Sequence, residues 1–190
     1  SDVCSSDLGS AAAVMFVLAM NAREMRPMDS QSFLKLGFLY YEGKGVRKDP
    51  GETVKWFRKA AQTGDLKAQF LLGEFLVGED IDVKEGLEWL TKAARRGEKG
   101  AEWRLAEMYL HGDGVKTNVE EAVSWLAKLS DAGESNASLR LAALYSEGAE
   151  NFPPNPKIAF HYLLRAAQRS APNAFRPLAE MYYYGQGAPK

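Results

Sequence analysis

Apolar positions along most of this chain recur three and four residues apart, the spacing of one face of a helix. Between residues 68 and 76 they fall at Ala68, Leu72, Phe75 and Leu76. The pattern then repeats. Leu36-Gly37-Phe38-Leu39-Tyr40 returns as Leu72-Gly73-Glu74-Phe75-Leu76, Leu105-Ala106-Glu107-Met108-Tyr109, Leu141-Ala142-Ala143-Leu144-Tyr145 and Leu178-Ala179-Glu180-Met181-Tyr182. The small residue advances in steps of 36, 33, 36 and 37. A second ladder of Trp56, Trp89, Trp125 and Tyr162 keeps the same steps. Each aromatic is followed by a small or apolar pair (Ala60-Ala61, Ala93-Ala94, Leu129-Ser130, Ala166-Ala167) and then by Gly64, Gly97, Gly133 or Ser170.

Each period therefore predicts two helices. Helix A carries the small residue, which lets its partner approach closely. Helix B turns Val54, Trp56-Phe57 and Ala60-Ala61 to the core and stops at the glycine that follows. Glycine pairs such as Gly43/Gly45 and Gly112/Gly114 mark the A-to-B loops. The second period is shorter in its loop at 77–80, and the fourth has a longer loop with Pro153, Pro154 and Pro156. A lone helix pair cannot bury its apolar stripe, whereas stacked pairs can. The expected fold is all-α, an α-solenoid of stacked antiparallel helix pairs. Its units fall at 29–64, 65–97, 98–133 and 134–170, with a partial unit at 171–190.

Composition removes functions rather than adding them. Lys and Arg number 24 against 25 Asp and Glu, so nothing favours nucleic acid. One cysteine, Cys4, and two histidines, His111 and His161, leave no set for a metal centre and no disulfide framework. No phosphate-binding glycine motif and no Gly-x-Ser-x-Gly elbow occurs. His111, at the end of a helix A, reads as capping or facing water. His161 reads as packing beside Tyr162. Glu120-Glu121 and Asp80/Asp82 suit the starts of B helices. No catalytic residue, metal or cofactor is expected, and the chain reads as a non-enzyme.

The two ends stand apart from the array. Residues 1–8 resemble a translated sequencing adapter, as in a fragment from environmental DNA, and contain Cys4. Residues 9–28 hold an uncharged apolar stretch too short to span a bilayer. It reads either as a truncated secretion signal or as the remnant of an upstream buried helix. The first reading favours a periplasmic or secreted location over the cytoplasm. No membrane span is expected.

Between residues 36 and 64 stand Gly37, Leu39, Tyr40, Gly43, Gly45, Val46, Asp49, Trp56, Ala60, Ala61 and Gly64. This set resembles the Sel1-like repeat, a relative of the tetratricopeptide repeat. The resemblance extends over about residues 29–190. Thr53 departs from the usual alanine, and the second loop lacks its glycine pair. The resemblance implies a curved scaffold for protein complexes, with A helices lining the concave side, in bacterial envelope or adaptor proteins.

Partners of such arrays bind the extended concave surface. On helix A, the positions two before, one after and five after the small residue share a face. Down the chain that stripe contains Lys35, Phe38, Leu71, Glu74, Arg104, Glu107, His111, Arg140, Glu180 and Tyr184. It reads as a groove for a protein or peptide, with Arg104 and Arg140 gripping carboxylates and Phe38 and Leu71 in apolar contact. The same residues also suit a solvated face with an Arg104–Glu107 pair. An alternative function is a glycan- or peptidoglycan-associated envelope protein using Tyr183, Tyr184 or Phe38. The partial last unit, with Tyr182 used in packing and Tyr183 and Tyr184 free, predicts self-association through an unpaired C-terminal helix.

Overall fold

The computed structural model describes Met15 and residues 28–187. The adapter-like start, the two readings of 9–28 and residues 188–190 lie otherwise outside the described residues. Among the described residues there are nine bounded helices and no strand. They are α1 (Ser30–Glu42), α2 (Pro50–Gln62), α3 (Leu66–Gly78), α4 (Val83–Arg95), α5 (Lys99–His111), α6 (Val119–Asp131), α7 (Ser135–Glu147), α8 (Pro156–Gln168) and α9 (Pro172–Tyr184). Odd-numbered helices are the A helices and even-numbered ones the B helices. The fold class is the expected all-α solenoid class of antiparallel helix pairs. The chain divides into two compact units, Ser1–Glu98 and Lys99–Lys190.

Side-chain caps start the helices where the sequence places Asp or Asn. Asp29, Asp49, Asp65, Asp82, Asn118 and Asn155 each accept from a backbone N–H three residues on. Such caps are worth about 1 kcal/mol each. Asp29 also accepts from the Ser32 hydroxyl at 2.7 Å, and these bonds hold its carboxyl below the usual range. The B helices end on a left-handed residue. Gly64, Gly97 and Gly133 take φ of 91°, 87° and 98°, and Ser170 holds the same slot at 60°.

In the first unit the core joins Val54, Phe57, Ala60, Ala61, Ala68, Leu72 and Leu76, all buried. The small slot works by direct approach. A Cβ on Gly37 would lie 2.4 Å from the Phe57 ring, and one on Gly73 would lie 2.7 Å from Leu90 Cγ and 2.9 Å from the Gly86 carbonyl. Gly86 thus sets the α3–α4 backbones almost in contact. In the second unit Leu105, Ala106, Met108, Leu126, Leu129, Leu141 and Ala142 are buried, with a further cluster around Ala159, Leu163, Leu178 and Met181.

The structure corrects two details of packing. The centre of each B helix is held by the residue after the aromatic, Phe57, Leu90, Leu126 or Leu163, each at most 5% exposed. Trp56, Trp89 and Tyr162 are only half-buried, at the margin of the core, while Trp125 is buried. A lysine one turn on covers each tryptophan: Lys59 Nζ lies 4.4 Å from the Trp56 ring centre, Lys92 4.7 Å from Trp89 and Lys128 3.8 Å from Trp125. The indoles of Trp56 and Trp89 donate to Glu52 and Glu85 at 3.0 Å. His161 is exposed rather than packed, because its face of α8 points away from Leu163, and it meets Tyr162 edge-on at 5.5 Å. Thr53, in an alanine slot, is fully buried and satisfied by donating to the Asp49 carbonyl at 2.8 Å.

Candidate functional site

The last turns of α1 carry Phe38-Leu39-Tyr40-Tyr41, and helix A of the second repeat, α3, carries Leu71, Glu74 and Phe75. Antiparallel pairing brings these two stretches beside Phe57 of α2. Together with Gly78 and Glu79 they surround a cavity of about 290 Å³. Three stripe residues read from sequence, Phe38, Leu71 and Glu74, therefore line one concavity. Phe38 is 36% exposed, Tyr41 is 43% exposed, and Leu71 and Glu74 are half-buried. Lys35 is exposed one turn before Phe38.

The walls are aromatic. Phe38 meets Phe57 at 5.1 Å and Tyr41 at 6.5 Å, and Phe75 meets Tyr41 at 5.5 Å and Phe57 at 5.8 Å. All four contacts are edge-to-face, the favoured arrangement of ring quadrupoles. Gly37 makes this possible, since a side chain there would displace the Phe57 ring. The stripe read from sequence leaves out Tyr41, Phe57 and Phe75, the last two of which the sequence places in the core pattern. The signal for Tyr41 and Phe75 was their helical spacing from Phe38 and Leu71, three and four residues further along. A smaller adjoining cavity of about 90 Å³ is lined by Tyr40, Tyr41, Lys48, Asp49, Phe75 and Glu79, among others.

The stripe of the second unit is polar and internally paired. Glu107 has a neighbour on each side: His111 Nε2 lies 3.0 Å from its Oε2, and Arg140 Nε lies 3.4 Å from its Oε1. The latter pair ties α5 to α7. Arg104 reaches Asp113 at 3.6 Å. Thus Arg104 and Arg140 do grip carboxylates, but carboxylates of their own chain. On α9, Glu180 pairs with Arg176 at 3.0 Å, and Tyr184 is 69% exposed and edge-on to Tyr183 at 5.0 Å. Tyr182, expected to be packed, is 53% exposed, although it touches Phe160 edge-on at 5.0 Å.

Ion pairs also join B helices within each unit. Glu85 accepts two bonds from Arg58, at 2.9 and 2.7 Å, while the Trp89 indole holds its Oε1. The Arg58 bonds, with the Trp89 bond adding to them, hold the Glu85 carboxyl below its ordinary value. Arg165 pairs with Asp131 at 2.7 Å, and burial pushes the nearby Tyr162 hydroxyl up. Among the described residues no cluster of His, Cys, Asp and Glu could hold a metal ion. No helix among them is long and apolar enough to cross a membrane.

A family model of the Sel1 repeat matches residues 34–65, 66–98, 100–134, 135–170 and 178–190. The chain is similar in structure to c5321, a protective antigen present in uropathogenic Escherichia coli strains that displays an SLR fold. The two are 29% identical with a TM-score of 0.69, over 84% of this chain and 35% of the antigen. It is also similar to a Sel1 repeat protein from Oxalobacter formigenes, at 28% identity and a TM-score of 0.66, over 96% of this chain and 77% of that one. The chain thus spans about a third of the length of the first and over three quarters of the second. Among curated proteins no sequence matches the chain.

Proposed function

Because the chain belongs to the Sel1 repeat family, we propose that it is a non-enzymatic scaffold that holds a protein or peptide on the helix-A face of its repeats. Repeats of this family are generally protein–protein interaction modules and non-catalytic scaffolds. The observation that carries the reading for this chain is the aromatic-walled cavity that gathers Phe38, Leu71 and Glu74. A partly exposed aromatic pocket beside a helix face is the kind of place where one anchoring side chain of a partner docks. In the second unit the stripe of Arg104, Glu107, His111 and Arg140 supplies a charged rim. There the paired charges contribute orientation more than affinity.

The test compares variants on the two faces. Partners retained by the immobilised chain are identified for the wild type, for Phe38→Ala on the helix-A face and for Lys59→Glu on a B helix. A partner kept by Lys59→Glu and lost from Phe38→Ala supports the reading. A partner indifferent to Phe38→Ala and Lys35→Glu, but lost from Lys59→Glu, overturns the choice of face.

A further inference from the structure

The last A helix, α9, differs from the other four in the side that elsewhere meets a B helix. The small slot on that side is buried at Gly37, Gly73, Ala106 and Ala142, and exposed at Ala179. Four residues before the slot, Phe33 is half-buried and Gln69, Glu102 and Ser138 are buried, yet Phe175 is 54% exposed. Three after it, Leu76 is buried and Tyr40, Tyr109 and Tyr145 are half-buried, whereas Tyr182 is exposed. Phe175, Ala179 and Tyr182 stand three and four residues apart, so they share one face of α9. Tyr183, also exposed, adjoins them. A contiguous apolar face left open in this way marks an association surface.

We propose that this face is the interface of a homodimer, an antiparallel α9–α9 contact between two copies of the chain. The molecule itself shows what covers such a slot. A bulky side chain of a facing helix presses on it, as Phe57 does on Gly37 and Leu90 on Gly73. α9 carries such side chains of its own, one on either side of Ala179. A two-fold axis passing beside Leu178 and Ala179 sets Phe175 of each copy opposite Tyr182 of the other and brings the small slots to the point of closest approach. The contact is then isologous, each patch meeting its own copy. The charges obey the same axis. Arg176 and Glu180 lie together on one flank of the face, both well exposed, and pair within the helix at 3.0 Å. In an antiparallel pair like flanks meet, so Arg176 of each copy falls opposite Glu180 of the other. That charged register is centred on Leu178, within one residue of the centre of the aromatic register. A uniformly acidic or basic partner helix would satisfy one of the two charges and repel the other, whereas a second α9 satisfies both. The interface uses no residue of the aromatic cavity, so a dimer carries two such cavities, and a partner with two matching anchors gains avidity.

The experiment measures sedimentation equilibrium of the full chain from the low micromolar to the millimolar range, where a monomer–dimer equilibrium is expected. Ala179→Glu sets like charges against each other beside the two-fold axis. At this exposed position it is expected to leave only monomer, with the helical circular dichroism unchanged. Arg176→Glu and Glu180→Arg each place like charges opposite one another and are expected to weaken the dimer by about tenfold. These two variants complement each other, so an equimolar mixture is expected to regain dimer at least as tight as wild type. Wild type that stays monomeric throughout overturns the proposal. So does a dimer indifferent to Ala179→Glu, which would place the contact on another surface. Failure of the mixed charge variants to regain association overturns the antiparallel register and the proposal with it.

Discussion

The two compact units use one repeat frame to make two kinds of helix-A surface. In the first, the small slots are Gly37 and Gly73, and B-helix side chains press directly on the A-helix backbone. The surface above is aromatic and hollow. In the second, the slots are Ala106 and Ala142, both buried, and the surface is closed by Glu107 shared between Arg140 and His111. The difference teaches that the repeat's core positions and its surface positions vary independently. One extra methyl at a slot is tolerated by the frame wherever the facing side chain leaves room. What is displayed outside depends on the neighbouring positions, which the packing does not dictate.

If the cores are alike and only the surfaces differ, equal cuts into each core should cost the same. Leu72 and Leu105 are both at most 1% exposed, so Leu72→Ala and Leu105→Ala should each destabilise by about 2–5 kcal/mol in chemical denaturation. A markedly cheaper loss in either would mean that the frames differ too. The slots themselves should respond in opposite ways. Gly73→Val is expected to cost about 1–3 kcal/mol through collision with Leu90 and the Gly86 carbonyl. Ala106→Gly should cost only about 1 kcal/mol, the helix-propensity difference. A Gly73→Val chain as stable as wild type would remove close approach as the reason for glycine there.

Smaller effects separate the ion pairs. The Glu85 carboxyl is held below its ordinary value, so its share of stability is full above about pH 4.5 and is lost as pH falls through the lowered folded value. The charged Arg58–Glu85 pair is partly exposed, so that share should stay below about 1 kcal/mol. Stability of wild type and Glu85→Gln, followed between neutral pH and pH 2, should differ at the upper end and converge at the lower. A constant gap would show that Glu85 acts by packing instead. Smallest of all, Arg140→Ala should move stability by no more than about 0.5 kcal/mol, since its ion pair with Glu107 is partly exposed. A larger loss would make the second unit's stripe structural.

Much of the fold was legible because two ladders, one of small residues and one of aromatics, run in phase. Together they set helix, loop and stop for every period. The ladders could not say which of two adjacent apolar residues faces inward. Trp56 is the repeating letter, yet Phe57 holds the centre, because a bulky indole with an N–H suits a margin where Glu52 can accept and Lys59 can cover it. The stripe was read as a face from helical spacing, and spacing does place Phe38, Leu71 and Glu74 together. It could not reveal the hollow between them. That hollow depends on Phe57 crossing over Gly37 and on Tyr41 meeting Phe75, and both contacts join residues from different helices. For the charged half of the stripe, sequence showed the charges but not that they are spent on one another.

The pairing of each helix mainly with its sequence neighbours within a unit also bears on how the chain reaches its fold. Contacts of this kind close short loops, and proteins built from them have low contact order and fold quickly. Closing a loop of about ten residues takes on the order of 10–100 ns, so no early step waits on distant parts of the chain. A helix pair such as α1–α2 is joined by a turn tied by the bond from Asp49 N–H to the Tyr40 carbonyl. It can therefore form while the rest of the chain is still emerging from a ribosome. The aromatic hollow needs only α1, α2 and α3, so the surface that would meet a partner can be completed without the helices that follow.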